Sequence, residues 1–372
     1  MNKIIRRTLI LASLLVAIIG AVLLIQYLFC QAASHDERRI GYYHNEPKDS
    51  IDVLFLGASE MYSGWAPGLA YEEYGFTSYP YCVSAAPVTM WKYMLEDALR
   101  TQSPELVVID PYGATLEEND SNFGLFNPSP KYQFLNMVPF SAKKIEMVNK
   151  MCAGMSAMEK MSYLFPFVKH HDNISDYVVN YTSSKEIRQG KTSELKGMRT
   201  LTTCFTDVAT IQTNTINEVS PITPTAEKYL DEFLRYCTEN NIKVMFVHFP
   251  STIYEGSGIQ EANRKSNYVG RIVQSRGFEY INLQDRIVQM GIQAQEDFYS
   301  QNHLNVKGQK KVTKYLGKMI DGRIKKKQQT STTKKSWQEA SQSYEKYYSY
   351  ACSRIEEGSV EYIEDGDELC KN

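Results

Sequence analysis

The sequence predicts an α/β fold, a three-layer sandwich on a mainly parallel sheet, preceded by one N-terminal transmembrane helix. Three observations predict it. A run from Thr8 to Phe29 whose only clearly polar members are Thr8, Ser13 and Gln26 follows Lys3, Arg6 and Arg7. From Ile51 onward, short apolar runs alternate with helical patterns, as they do when strands are joined by crossover helices. The 372 residues are 43% hydrophobic and 23% charged, a balance that suits a folded chain and excludes global disorder.

The first element is the apolar run itself. Its residues, as a helix, reach roughly 33 Å, against about 30 Å of bilayer hydrocarbon. A cleaved signal has a shorter apolar stretch, and Cys30-Gln31-Ala32-Ala33-Ser34 is a poor small-residue cleavage site. The bulky Phe29 argues against lipidation at Cys30. Residues 1–30 are therefore expected to be an uncleaved signal anchor, holding the membrane through residues 8–29. The basic residues before the run predict a cytoplasmic N-terminus and an extracytoplasmic main domain, single-pass in the plasma membrane. Residues 31–50 are polar and read as a juxtamembrane linker.

The domain is expected over 51–324. Ile51 to Leu56 reads as a strand, Ala66 to Tyr74 as a helix, Tyr79 to Val83 as a strand, Val88 to Thr101 as a helix and Leu106 to Ile109 as a strand. Between about 115 and 221 the pattern weakens, and this stretch reads as an insertion that shapes the substrate site. The alternation then resumes with the helix Thr225 to Glu239, the strand Lys243 to Phe249, the helix Gln260 to Arg276, the strand Phe278 to Leu283 and the helix Val306 to Ile324. Residues 325–372, with Lys325-Lys326-Lys327 and an acidic end, read as a charged, flexible tail.

Several chemistries are disfavoured. Lys and Arg number 41 against 43 Asp and Glu, so the chain has no excess charge for nucleic acid. The seven cysteines are scattered, with no zinc spacing, and no Gly-rich loop cradles phosphate. Neither a metal nor a cofactor is expected. His170-His171-Asp172 reads as a solvated loop. Asn119-Asp120-Ser121, Asn173-Ile174-Ser175 and Asn180-Tyr181-Thr182 match the glycosylation acceptor pattern.

The candidate chemistry lies at the two ends of the domain. The first strand runs into Gly57-Ala58-Ser59, which puts Ser59 at a strand end and a helix start, where free backbone N–H groups can stabilise an oxyanion. A serine in this place is also a common helix cap. Asp297-Phe298-Tyr299-Ser300-Gln301-Asn302-His303 precedes the last helix. There His303 either caps that helix or meets Ser59 at the carboxyl edge of the sheet as its base. Ser84-Ala85-Ala86 and Asp110-Pro111-Tyr112-Gly113 follow the second and third strands. His248 ends the fourth and reads as part of a structural turn.

Leu56-Gly57-Ala58-Ser59, followed by Ser63-Gly64, and His303-Leu304-Asn305-Val306-Lys307-Gly308 resemble the SGNH/GDSL hydrolases. The likeness is to their membrane-anchored extracytoplasmic branch, typified by DltD and the alginate O-acetylation proteins. It covers roughly Ile51 to Ile320 and leaves the insertion unmatched. It implies an SGNH or flavodoxin-like sheet, with Ser59 as nucleophile, His303 as base, and Ala85 and Gly113 near the oxyanion. The family's acid, three residues before the histidine, is here Ser300, so Asp297 is the nearest carboxylate to orient the imidazole. No Asn stands where the family completes its oxyanion hole. The implied function is a serine esterase or acyltransferase acting on acyl groups of a cell-envelope polymer. Its partners would be that polymer or an acyl donor, and a membrane acyl-transfer complex. The competing reading, favoured by Ser300, is a catalytically inactive carbohydrate or teichoic-acid binding protein.

Overall fold

The computed structural model describes residues 3–29, 34–116, 129–165, 168, 181–199, 202, 216–253 and 258–358. The first half comprises α1 (Lys3–Phe29), α2 (His35–His44), β1 (Val53–Gly57), α3 (Ser59–Gly64), α4 (Pro67–Tyr74), β2 (Ser78–Cys82), α5 (Val88–Ala98) and β3 (Leu106–Ile109). Within the insertion lie α6 (Pro130–Met137), α7 (Ala142–Met151), α8 (Ala157–Leu164) and α9 (Tyr181–Arg188). Then come α10 (Pro224–Glu239), β4 (Val244–His248), α11 (Gly258–Ser275), β5 (Glu279–Asn282), α12 (Ile287–Met290) and α13 (Ala294–Asp297). The strands β6 (Phe298–Ser300) and β7 (His303–Leu304) and the helices α14 (Val306–Asp321) and α15 (Ser331–Glu356) complete the chain. The glycosylation patterns and His170-His171-Asp172 lie wholly or in part outside the described residues.

The fold is α/β. β1 to β5 form one parallel sheet in the order β2-β1-β3-β4-β5. β1, β2, β3 and β4 are buried along their whole length, which is why they read as continuous apolar runs rather than alternating ones. Leu54, Leu56, Val107, Ile109 and Phe246 pack with Trp91 of α5, Phe233 of α10 and Val269 of α11. Val53, Phe55, Val108 and Met245 face the other way, onto Met61 of α3, Ala70 of α4 and Leu316 of α14. The order reverses its direction of growth at β1, and the crevice outside the carboxyl ends of β1 and β3 is where open parallel sheets take ligands.

α1 is long and apolar enough to cross a membrane. The described parts of two polar segments, one expected to be a juxtamembrane linker and the other a flexible tail, are folded instead. Residues 34–50, read as a linker, begin with α2, capped by Ser34 and Glu37 in a capping box. Their charged groups are paired inside the fold: Asp36 with Arg39, Glu37 with Asn136, and His44 with Asp97. Residues 325–372, read as a flexible tail, contain α15. Its Trp337, Ala340, Tyr344, Tyr347 and Ala351 recur at spacings of three and four and are buried. Ser341 Oγ donates to the Gly68 carbonyl of α4 at 2.8 Å. The stripe is made of aromatic and small residues among lysines, so average polarity concealed it.

Candidate active site

β1 delivers Ser59 to the crevice. Gly57, at a positive φ of 143 that favours glycine, ends the strand, Ala58 occupies the N-cap position of α3, and Ser59 is the first helical residue. The Ser59 N–H thus has no carbonyl one turn back to bond. Ser59 is therefore not the cap. Its hydroxyl instead meets His303 Nε2 at 2.8 Å across 244 residues of chain.

The histidine arrives on a hairpin. β6 and β7 pair antiparallel, with Ser300 directly opposite His303 and Phe298 opposite Leu304. Gln301 and Asn302 form the tip, and the Gln301 carbonyl accepts the Thr252 N–H at 2.7 Å, tying the tip to the segment after β4. The residues after His303 explain the rest of its motif. Leu304 enters the core, and Asn305 caps α14 by accepting from Lys307 and Gly308 N–H at 2.9 and 3.3 Å. A Cβ at Gly308 would run into the Asp297 carbonyl, so glycine is required there. His303 is thus positioned by a capped helix without being the cap.

Cross-strand pairing decides which side chain orients the imidazole. His303 Nδ1 lies 2.7 Å from Ser300 Oγ. Asp297, expected in this role, stands elsewhere: Lys311 Nζ and Gln293 N–H both donate to its Oδ2 at 2.7 Å. It lies before the hairpin rather than opposite His303, and it locks α13 to α14. The position three residues before the histidine is therefore the right place for a partner, occupied by a hydroxyl in place of a carboxylate. Burial, with the positive charge of Arg199 adding to it, lowers the His303 pKa to about 4.

The wall beside Ser59 is built from three distant segments. Tyr62, one turn along α3, shares a hydrogen bond of 2.7 Å with Ser84 after β2. The Arg39 guanidinium of α2 stacks 3.7 Å over the Tyr62 ring. From the insertion, Gly197 accepts from Arg39 Nε at 2.6 Å and Arg199 N–H donates to the Tyr62 carbonyl at 3.0 Å. Part of the insertion thus reaches the site.

The two expected oxyanion residues differ. Ser84 N–H is bonded to Asp36 Oδ2 at 2.9 Å and Ala86 N–H to the Val83 carbonyl at 3.1 Å. Ala85, between them, is held left-handed at φ 51, and neither of these bonds uses its N–H. Gly113 is buried in a 3₁₀ turn, where a Cβ would meet the Trp91 indole at 2.8 Å. Its glycine serves close packing, and no hydrogen bond joins it to Ser59 or His303 among the described residues.

Four polar residues near the pair, Glu60, Asn302, Asp110 and His248, are not legible as functional in the sequence. Glu60, buried next to Ser59, accepts from Asn302 Nδ2 at 2.6 Å. Burial, with the charge of Asp110 adding to it, pushes the Glu60 pKa up to about 8. Asp110, after β3, accepts from Tyr112 and Phe249 N–H at 2.7 and 2.9 Å, pinning the ends of β3 and β4 together. His248 Nε2 meets Asn263 at 2.8 Å and takes no part in the Ser59 contacts. Adjacency in sequence to Ser59 and His303 was the one available signal for Glu60 and Asn302.

The arrangement can move a proton from a serine hydroxyl to an imidazole beside backbone N–H groups, the requirement for acyl transfer through a covalent intermediate. No family model matches the chain, and no curated protein matches it.

Proposed function

We propose that this protein is a serine esterase or acyltransferase of SGNH type that acts on acyl groups of a cell-envelope polymer. The observation that carries the reading is the Ser59 Oγ to His303 Nε2 contact of 2.8 Å at the carboxyl edge of a parallel sheet. Ser59 Oγ attacks the acyl carbonyl while its proton passes to His303 Nε2. The oxyanion is stabilised by Ser59 N–H and, in this proposal, by Ala85 N–H. His303 then gives the proton to the leaving alcohol, and acyl-Ser59 passes to water or to a second hydroxyl.

The two core clusters on opposite sheet faces support a three-layer sandwich, and the motif order supports the SGNH family. The envelope enters through α1: with its basic end in the cytoplasm, everything beyond it is extracytoplasmic. A membrane acyl-transfer complex is the corresponding partner. Turnover of p-nitrophenyl acetate by the full chain in detergent tests the reading. Ser59→Ala is expected to remove turnover, and His303→Ala to reduce it by roughly 10²- to 10⁴-fold. A folded wild type with no turnover would favour an inactive binding protein.

A further inference from the structure

We propose that Glu60, Asn302 and Ser300 act in series as positioning residues that fix the tautomer of His303, supplying by polarity what a carboxylate supplies in other serine triads. The proposal rests on the reading of Ser59 as the nucleophile.

The series starts at Glu60, whose side chain turns inward from the residue next to Ser59. With its pKa raised to about 8, Glu60 is protonated near neutrality. Its Oε2 is buried and has no hydrogen-bond partner among the described residues, whereas Oε1 accepts from Asn302 Nδ2 at 2.6 Å. Because Oε1 accepts from the Asn302 amide, the proton of the neutral acid belongs on Oε2, which leaves Oε1 a carbonyl acceptor. That contact fixes the amide, with Nδ2 toward Glu60 and Oδ1 toward Ser300. An amide oxygen can only accept, so the Ser300 hydroxyl donates to it at 3.5 Å. This is the long link of the chain and contributes direction more than strength.

With its proton turned to Asn302, Ser300 presents a lone pair to His303 Nδ1 at 2.7 Å. Only an Nδ1–H can donate there, which leaves Nε2 bare and facing the Ser59 hydroxyl at 2.8 Å. The opposite tautomer would offer Nε2–H to Ser59, and there would be no base. Asp297 takes no part in this series: its hydrogen bonds go to Lys311 and Gln293, and His303 Nδ1 faces Ser300 instead.

The experiment uses the full chain in detergent micelles with its six histidines labelled with ¹⁵N, the His303 signals being assigned by their loss in His303→Gln. At pH 7 the wild type is expected to carry the proton on Nδ1. Ser300→Ala and Asn302→Leu are expected to shift the ring toward Nε2–H and to slow p-nitrophenyl acetate turnover roughly 10- to 100-fold. Ser300→Thr, which keeps the hydroxyl, is expected to retain both the tautomer and the rate. A wild type found as Nε2–H, or a Ser300→Ala protein that keeps Nδ1–H and the wild-type rate, would overturn the proposal. In a wild type without esterase turnover, an Nδ1–H tautomer that shifts to Nε2–H in Ser300→Ala and Asn302→Leu would overturn the enzyme reading while bearing out the positioning of the ring.

Discussion

At His303 the half-buried imidazole is desolvated and lies near the positive charge of Arg199, and both disfavour the imidazolium, while the neutral Ser300 hydroxyl supplies none of the stabilisation a carboxylate would. The base form of an ordinary histidine is lost as pH falls through about 6.5; here it persists until about 4. The acid limb of kcat/KM for p-nitrophenyl acetate is therefore expected near pH 4, with activity rising as His303 deprotonates and then level through neutrality. A limb near 6.5 would mean that solvent or an unrecognised anion reaches the ring. The same residue marks what the sequence could tell. Ser59 and His303 were legible because each carries its own local motif. The placement of Ser300 was not, because a hydroxyl in an acid's place reads as a loss until the hairpin is seen to set it opposite the imidazole. Asp297 was misread for the complementary reason: a carboxylate near a histidine in sequence can be committed to a lysine on another helix.

Among the elements, β1 to β5 and the helices between them were legible, since buried parallel strands and amphipathic helices have periods that survive in sequence. β3 was expected at the residues it occupies, and the other strand boundaries differ by only one or two residues. What escaped were α2 and α15, whose burial depends on paired charges and on small and aromatic side chains. α15 lies so close to α4 that a Cβ on Gly68 would come within 2.6 Å of the Ala340 carbonyl. This yields a test with opposite signs. On an isolated α4, Gly68→Ala would stabilise by up to about 1 kcal/mol through helix propensity. Against a packed α15 it is expected to destabilise by about 1 to 3 kcal/mol, measured by denaturant unfolding.

For the whole molecule, α2 ties the site to the start of the domain. Asp36, bonded to Ser84 N–H at the wall of the site, follows Phe29 by only seven residues, at most about 25 Å of extended chain. With α1 in a membrane, the crevice would stand close to the lipid surface, within reach of the membrane-proximal part of an envelope polymer. Protease added to intact cells, or to spheroplasts where a wall bars access, is expected to release the bulk of the chain. A domain protected until lysis would reverse the proposed orientation.

The activity itself is tested most directly by a fluorophosphonate, which requires an activated hydroxyl and an oxyanion site but no knowledge of the natural substrate. The full chain in detergent is expected to gain one covalent phosphonyl group, mapped by peptide mass spectrometry to Ser59. Ser59→Ala should remain unlabelled. A folded wild type that takes up no label, or takes it up equally when Ser59 is Ala, would contradict the assignment of Ser59 as an activated nucleophile.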